Sequence, residues 1–480
     1  MTIIDLFSIL PVLVLVVWAL FLLLADLWAS RKLPGLTPIL AVVGLVCSLV
    51  VSIVQVGKPQ SSFGGMIHVD GFSVFLNILF AITGIAAVAL AYESFKNLKI
   101  QRGEYYVLLL FSLSGMMLMG AAGDLIVIFL ALELLSIPLY IMAGMDFNRL
   151  ESKEASLKYL LLGTFASAIV LFGTAFIYGA AQTTNLYEIA LAVNLAEINW
   201  TLFIIGAALL VVGFGFKVAA VPFHTWTPDV YHGAPSSVTA FMAVGAKAAG
   251  FAALIRVFSL DFTVLSENLT AVFWALAVLT MIVGNFTALA QKNLKRMLAY
   301  SSIAHAGYIL MAFVAFGNEA VRADSIASAL FYLAAYAATS IGAWAVLIAV
   351  EREDASRNEI EHLAGLGKTA PLLAAAMTVF MLSFTGIPVT LGFWGKFYLF
   401  RTAIQGGNII LAVIGLLTSL VSAYYYLRVV VKMYFQEGDV KVSQKGWSLV
   451  VAVVAALIVL GLAFIPELLY KFAASSLIIG

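Results

Sequence analysis

Four ionisable side chains stand in the most apolar parts of the chain: Glu133 in IFLALELLSIPLYIMAG, Lys217 in GFGFKVAAVPFHTW, Lys247 in AVGAKAAGF and Lys396 in TLGFWGKFYLF. A Lys or Asp at the centre of a membrane helix costs about 2.5–3.5 kcal/mol on insertion scales. Four such groups cost on the order of 10 kcal/mol together, against the about 5–15 kcal/mol by which a whole fold is stable. Groups so placed mark ion pathways and proton relays by default. Lysine suits a relay. Desolvation favours its neutral form and a carboxylate favours its cation, so a neighbour that moves can make it release a proton. Arginine stays charged and could not do this. Glu133 and Lys217 form the candidate pair, with a static buried ion pair as the competing reading. Three lysines against one mid-span acid leave at least two lysines without an acidic partner.

Helix breakers accompany the charges. Pro222 follows Lys217 by five residues and removes a helix hydrogen bond. Gly386, Pro388 and Gly392 precede Lys396, and Pro138, just past Glu133, predicts a kink. Freed backbone at membrane depth survives where it lines water or protein. That predicts local hydration beside Lys217 and Lys396; a packing kink is the plainer reading of each proline alone. Histidines complete the set. His305 lies in YSSIAHAGYIL, and His224 and His232 flank TWTPDVY with Asp229 between them. Histidine titrates near neutral pH, which makes His224, His232 and Asp229 candidate additional relay groups, against a purely structural role. As a metal site this trio lacks a recognised ligand spacing. GFGFKV lacks the third glycine and the preceding strand of a nucleotide loop. No metal and no cofactor is therefore expected in this chain.

Membrane helices must position these groups. Of the 480 residues 63% are hydrophobic and 11% charged, where soluble domains carry about 25% charged residues. Apolar runs long enough to span a bilayer recur from end to end. Fourteen spans are expected, at 6–28, 36–56, 71–92, 105–122, 124–145, 156–180, 200–221, 235–258, 267–290, 298–316, 324–350, 371–405, 408–434 and 447–471, the twelfth interrupted. With the side after the first span called inside, 17 of the 26 basic residues fall on inside loops and flanks and five on outside ones. This positive-inside bias puts both termini outside. A net charge of +1 leaves no basic face for nucleic acid. Cys47, the one cysteine, excludes an internal disulfide and reads as a small core residue. The N-terminus lacks a cationic n-region and its apolar run is too long for a signal peptide, so 6–28 is expected to remain as the first span.

An internal repeat is faint. YLLLGTFAS (159–167) and YLAAYAATS (332–340) share Tyr, Leu and Ser at an offset of 173. The same shift carries Glu133 close to His305 and Lys217 close to Lys396. Five spans separate the copies, so the second would be inverted, a common transporter plan with sites near the midplane.

The stretch GFGFKVAAVPFHTWTPDVYHGAPSSVTAFMAVGAKAAGFAALIR (213–256) closely resembles the signature of the antiporter-like membrane subunits of respiratory complex I. That superfamily includes Mrp-type cation/proton antiporters and membrane-bound hydrogenases. NLKRMLAYSSIAHAGYIL (293–310) is similar to their tenth-helix region. The resemblance implies an all-α polytopic fold of about fourteen transmembrane helices in one integral membrane domain, with broken helices in spans 7 and 12. Its parts would be three N-terminal helices (1–104), a five-helix repeat (105–258), a second, inverted repeat (267–434) and a C-terminal helix (447–480). Residue by residue, Glu133 matches the acid of the fifth helix and Lys217 its partner on the broken seventh. Lys247 matches the connecting lysine of the eighth, His305 a central-axis residue, and Lys396 the terminal residue of the broken twelfth. The implied activity is proton translocation as a subunit of NADH:quinone oxidoreductase, along a buried Glu/Lys/His axis and driven by redox chemistry elsewhere. Quinone, flavin and iron–sulfur clusters are then expected in partner subunits, with M-type and small K-type membrane subunits as neighbours. The implied place is the bacterial inner (cytoplasmic) membrane, with both termini on the periplasmic side. Lys396 departs from the glutamate usual in M-type subunits, and the end at Gly480 departs from the lateral helix of L-type ones. Two rival readings are an Mrp-type secondary cation/proton antiporter and a structural membrane subunit. A sodium site would favour several intramembrane carboxylates, and only Glu133 is mid-span.

Overall fold

The computed structural model describes residues 3–29, 35–97, 103–259, 266–351, 358–438, 440, 442, 446–476 and 478. Arg31, Lys32, Lys99, Arg102, Arg352, Arg357, Lys441 and Lys445, all basic residues of expected inside loops, lie outside them. The chain runs through α1 (Ile3–Ala29), α2 (Leu36–Val54), a hairpin of β1 (Gln60–Ser62) and β2 (Ile67–Val69), α3 (Gly71–Asn97), α4 (Glu104–Ala121), α5 (Leu125–Ala143), α6 (Leu150–Ala181), α7 (Leu186–Asn194) and α8 (Trp200–Val218). It continues through α9 (Trp226–Gly233), α10 (Ser236–Phe241), α11 (Lys247–Phe258), α12 (Ser266–Leu289), α13 (Leu294–Phe313) and α14 (Glu319–Val350). The remainder is α15 (Leu366–Thr369), α16 (Pro371–Thr385), α17 (Leu391–Gln405), α18 (Ile409–Phe435), α19 (Trp447–Phe464) and α20 (Pro466–Ala474).

Twelve of the described helical segments are long and apolar enough to cross a membrane. The two expected spans outside those twelve fall on α13, whose first turn carries Lys295 and Arg296, and on the short pair α16 and α17. Helix starts follow from capping chemistry. Asp124, Asn185, Asn199, Asn293 and Asn318 each accept a backbone N–H at the first turn of α5, α7, α8, α13 and α14. Glycine sets the closest helix approaches. A Cβ at Gly115 of α4 would stand 2.4 Å from the Leu135 nitrogen of α5, and one at Gly284 of α12 would stand 2.6 Å from the Ala304 nitrogen of α13. Small residues let membrane helices pack at backbone contact in this way.

Two helices break where expected. α8 ends at Val218, Ala219 turns left-handed (φ 61), and the Val221–Pro222 peptide is cis before α9 begins. α16 ends at Thr385, with Gly386 at φ 88 and Val389 at φ 76 before α17. Protein groups meet part of the freed backbone. Val221 N donates to Thr280 Oγ1 (2.9 Å), Trp226 Nε1 donates to Phe216 O (3.0 Å), and Gly392 N donates to Ser383 Oγ (3.2 Å). α5 is a single helix through Pro138. A five-residue π turn, Met242–Ala246, separates α10 from α11 and leads straight into Lys247. One expectation is overturned: Cys47 is exposed. On α2 it is Gly44, Leu45 and Ser48 that face the bundle, so Cys47 points out.

Candidate proton-translocation axis

The three mid-span lysines are buried, and each ammonium meets neutral oxygens. Lys217, in the last turn of α8, donates to Ser136 Oγ of α5 (2.8 Å) and Tyr159 OH of α6 (3.2 Å). Lys247 donates to Ser302 O of α13 (2.5 Å). Lys396 donates to Phe384 O (2.8 Å) and Thr385 O (2.9 Å) at the broken end of α16, and to Ser419 Oγ of α18 (2.7 Å). A cation at a helix C-terminus meets the negative end of the helix dipole, so the break in span 12 builds the Lys396 site. Among the described residues none of the three lysines is in an ion pair.

Glu133 lies one turn before Ser136 on α5. Its carboxylate acts on Lys217 through space, yet the two are not within salt-bridge distance, and Glu133 Oε1 is buried without a hydrogen-bond partner. The expected pair is therefore adjacent and open, with Ser136 and Tyr159 holding the ammonium. Tyr159 also stacks on Trp226 of α9 (centroids 4.7 Å apart, 7° between planes), which ties the Lys217 site to the segment past the break.

The file continues without a gap in packing. Gly250, one turn beyond Lys247 on α11, faces Lys217: a Cβ there would stand 3.2 Å from Lys217 Cγ. The Lys247 acceptor, Ser302 O, is one turn before His305 on α13. His305 is clamped between two phenols, Tyr332 OH at Nδ1 (2.5 Å) and Tyr426 OH at Nε2 (3.1 Å). Lys247 and Lys396 both act electrostatically on this imidazole. Tyr308 links the last pair, its ring 5.8 Å from that of His305 and 4.7 Å from Lys396 Nζ. The buried groups thus run in the order Glu133, Lys217, Lys247, His305, Lys396.

The trio past Pro222 stands apart from this file. Asp229 pairs with Lys158 of α6 (2.9 Å) and Arg296 of α13 (3.0 Å), and Lys158 also meets Glu154 (2.7 Å). The three residues do not converge on one point: Asp229 is taken up by cations, and His224 Nδ1 and His232 Nδ1 are buried without partners. Burial, then the nearby Lys295, Arg296 and Arg149 cations, push the His232 imidazole below its ordinary value. Burial does the same to His224.

Residues 122–422 match the family described as NADH:quinone oxidoreductase/Mrp antiporter, TM. The chain belongs to this family. It is 44% identical over 477 residues to a NADH-quinone oxidoreductase subunit N of Trichlorobacter lovleyi, covering 98% of this chain and 96% of that protein. Among solved structures it resembles a chain of respiratory complex I from Thermus thermophilus, with a TM-score of 0.84 and 35% identity over 97% of this chain and 100% of that one. A chain of the Mrp complex from Dietzia shares the fold, with a TM-score of 0.85 and 21% identity over 98% and 96% of the two chains.

In this antiporter-family chain several buried polar groups escape a reading by charge. Lys295 is fully buried and donates to Ala234 O (2.7 Å) at the end of α9; in the sequence it passes for one more loop cation. Arg256 and Asp70 form a buried bidentate pair (2.6 and 2.7 Å), and Arg256 also donates to Gly120 O (2.9 and 2.7 Å). Each sits at a helix end, where hydropathy suggests solvent. Tyr426 bridges His305 and Ser301 Oγ (2.5 Å), and Asn285 takes Tyr425 OH (2.9 Å) and gives to Tyr308 OH (3.2 Å). Tyrosines count as apolar in a composition, so this hydroxyl network leaves no sequence signal.

Proposed function

We propose that the chain is the N-type proton-translocating subunit of a quinone-reducing complex I. Protons move along the buried file from Lys217 through Lys247 and the His305 cluster to Lys396. One observation carries this reading: three buried lysines and one histidine stand in packing sequence on neutral acceptors, with a single carboxylate beside the first. A buried ammonium held by hydroxyls and carbonyls has lost its water without gaining a fixed counter-charge, so neither protonation state is locked. Closing the gap between Glu133 and Lys217 stabilises the Lys217 cation, and opening it sends the proton on to Lys247. Energy comes from quinone reduction in other subunits, which hold the flavin, iron–sulfur clusters and quinone site.

The two close glycine crossings, α4 on α5 and α12 on α13, and the two broken helices support an organisation in two five-helix units, 105–258 and 267–434, flanked by helices at 1–104 and 447–480. The excess of basic residues on alternate loops supports a placement with both termini on the periplasmic side of the bacterial inner membrane. M-type and K-type membrane subunits are the proposed neighbours. A sodium-coupled antiporter fits less well, because hard cations take oxygen ligands such as carboxylates and the file of Glu133, Lys217, Lys247, His305 and Lys396 carries one carboxylate against three lysines.

The test is quinone-coupled turnover and proton pumping in the assembled complex carrying Glu133→Ala or Lys217→Ala. Both variants are expected to lower pumping strongly. Normal pumping by both would end the relay reading.

A further inference from the structure

On the far side of α14 from the axis lies an apolar cleft that the relay does not use. Its volume is about 610 Å³. Ala337 and Ala338 of α14 form its floor, Ile82 and Ala86 of α3 one wall, and Val450 and Val454 of α19 the other. Ile82, Val450 and Val454 are exposed, so the cleft opens onto the outer apolar surface of the bundle. From Phe75 to Ala89 it follows α3 for about 21 Å at 1.5 Å per residue, within the about 30 Å of a hydrocarbon core. Phe75 and Phe472 close one end, with ring centroids 5.2 Å apart.

The other end has different chemistry. Ile82, Ala86, Ala89, Glu93 and Lys96 follow one another at spacings of three and four, one stripe of α3. Ala89 still lines the cleft. The Glu93 carboxylate is buried and accepts Ser448 N (2.6 Å) and Ser448 Oγ (2.8 Å), which pins α3 to the first turn of α19. Its charge is thereby engaged on α19, and the next residue on the stripe, Lys96, is exposed. Trp447, the neighbour of the Ser448 that holds Glu93, lines the cleft and is 54% exposed. Tryptophan settles at head-group level, and lysine next to a membrane surface attracts anionic lipid.

We propose that the cleft between α3, α14 and α19 is a phospholipid site, with one acyl chain along the alanine floor and an anionic head group against Lys96 and Trp447. The apolar floor fits the chain, and the cation and indole at the α3–α19 end fit the head group. A transmembrane helix of a neighbouring subunit would need no cation at the mouth.

The probe is a phosphatidylglycerol carrying a diazirine midway along one acyl chain, added to the purified complex, photolysed, and mapped by mass spectrometry. Label is expected on peptides covering 75–89 and 447–462. Unlabelled phosphatidylglycerol should compete about fivefold better than phosphatidylcholine, the preference one lysine gives toward anionic lipid, and Lys96→Gln should remove that preference. Ala338→Trp, which fills the floor, should cut labelling about tenfold. Val454→Trp, on the exposed wall and harmless to the core, should cut it as well. The site is overturned if label maps elsewhere, if neither tryptophan lowers it, or if the Val454→Cys variant cross-links to a neighbouring subunit. Equal competition by phosphatidylcholine would overturn the head-group assignment.

Discussion

Lys247→Met separates a relay from a packing role, because the structure lets both consequences be sized. The side chain is 2% exposed and its ammonium has one acceptor, Ser302 O, with the Tyr336 ring 5.9 Å away. Methionine is close to lysine in volume, so no cavity opens. The substitution forfeits one hydrogen bond from a charged donor, about 1.5–3 kcal/mol, and a cation–π contact of about 0.5–2 kcal/mol. It also removes the cost of a charge at membrane depth, about 2.5–3.5 kcal/mol. These cancel to within about 2.5 kcal/mol, so the complex should assemble and unfold near its normal temperature. Transport should fare differently. A proton would have to pass from Lys217 to the His305 cluster without a basic side chain between them. If that passage costs what an unassisted charge costs, about 2.5–3.5 kcal/mol, the step slows about 70- to 400-fold. The assay is proton uptake into inverted membrane vesicles, followed by a pH-gradient dye, per quinone reduced and per complex assembled. Lys247→Arg keeps the cation but cannot release its proton, and should be equally inactive. The reasoning is refuted if Lys247→Met pumps normally, or if activity falls only in step with the amount of assembled complex.

Three further outcomes follow from the geometry. Tyr159→Phe keeps the stack on Trp226 but removes one of two hydrogen bonds to Lys217; losing about 1.5–3 kcal/mol there should lower pumping at least tenfold in the same vesicles with assembly unchanged. Asp70→Asn leaves Arg256 buried without its counter-charge and should destabilise the chain by about 3–5 kcal/mol, read as lost assembled complex and a lower unfolding temperature. His232 lies in the connection between spans, and its folded value is held below the ordinary 6.5. The unfolded chain therefore binds the extra proton first, so this contribution to stability is complete above pH 6.5 and is lost as pH falls below it. His232→Asn should flatten the acid side of a thermal-unfolding profile below pH 6.5; an unchanged profile would refute it.

The parts of the site that break rules are the parts legible in the sequence. Lysines in apolar runs and the Pro222 and Gly386–Pro388 breaks announce themselves because each violates what a membrane helix wants, and the structure puts the breaks at those places. Lys295 and Arg256 violate the same rule but lie at helix ends, where a span count cannot tell burial from a loop. Cys47 fails for the reverse reason. In α2 the bundle-facing side mixes Ala41, Gly44 and Leu45 with Thr37, Ser48 and Ser52, so the apolar character of a small residue does not by itself say which way it points. The gap between Glu133 and Lys217 depends on Ser136 and Tyr159 reaching the ammonium first, a three-helix geometry with no local signature. The π turn before Lys247 likewise arises from tertiary packing, since MAVGA has no helix breaker but its glycine.

Neutral acceptors are what a relay of lysines requires. A buried lysine paired to a carboxylate is hard to discharge, because separating such a pair leaves an unpaired charge at about 3–5 kcal/mol. Three such pairs, one for each lysine, would make three traps. A lysine on hydroxyls and carbonyls can give up its proton and leave acceptors that still find donors: Ser136, Tyr159 and Ser419 are hydroxyls that can rotate to serve a neutral amine as donors. The file keeps one carboxylate, at one end, near Lys217 but not in an ion pair with it. That placement makes the first lysine the one whose charge depends on a small movement. Ser136 and Tyr159 hold the ammonium in place of the carboxylate. If the carboxylate were instead fixed against Lys217 throughout turnover, removing its charge by Glu133→Gln would free the lysine permanently and raise the rate of proton release; a rise in pumping in that variant would show that the open pair is not the working switch.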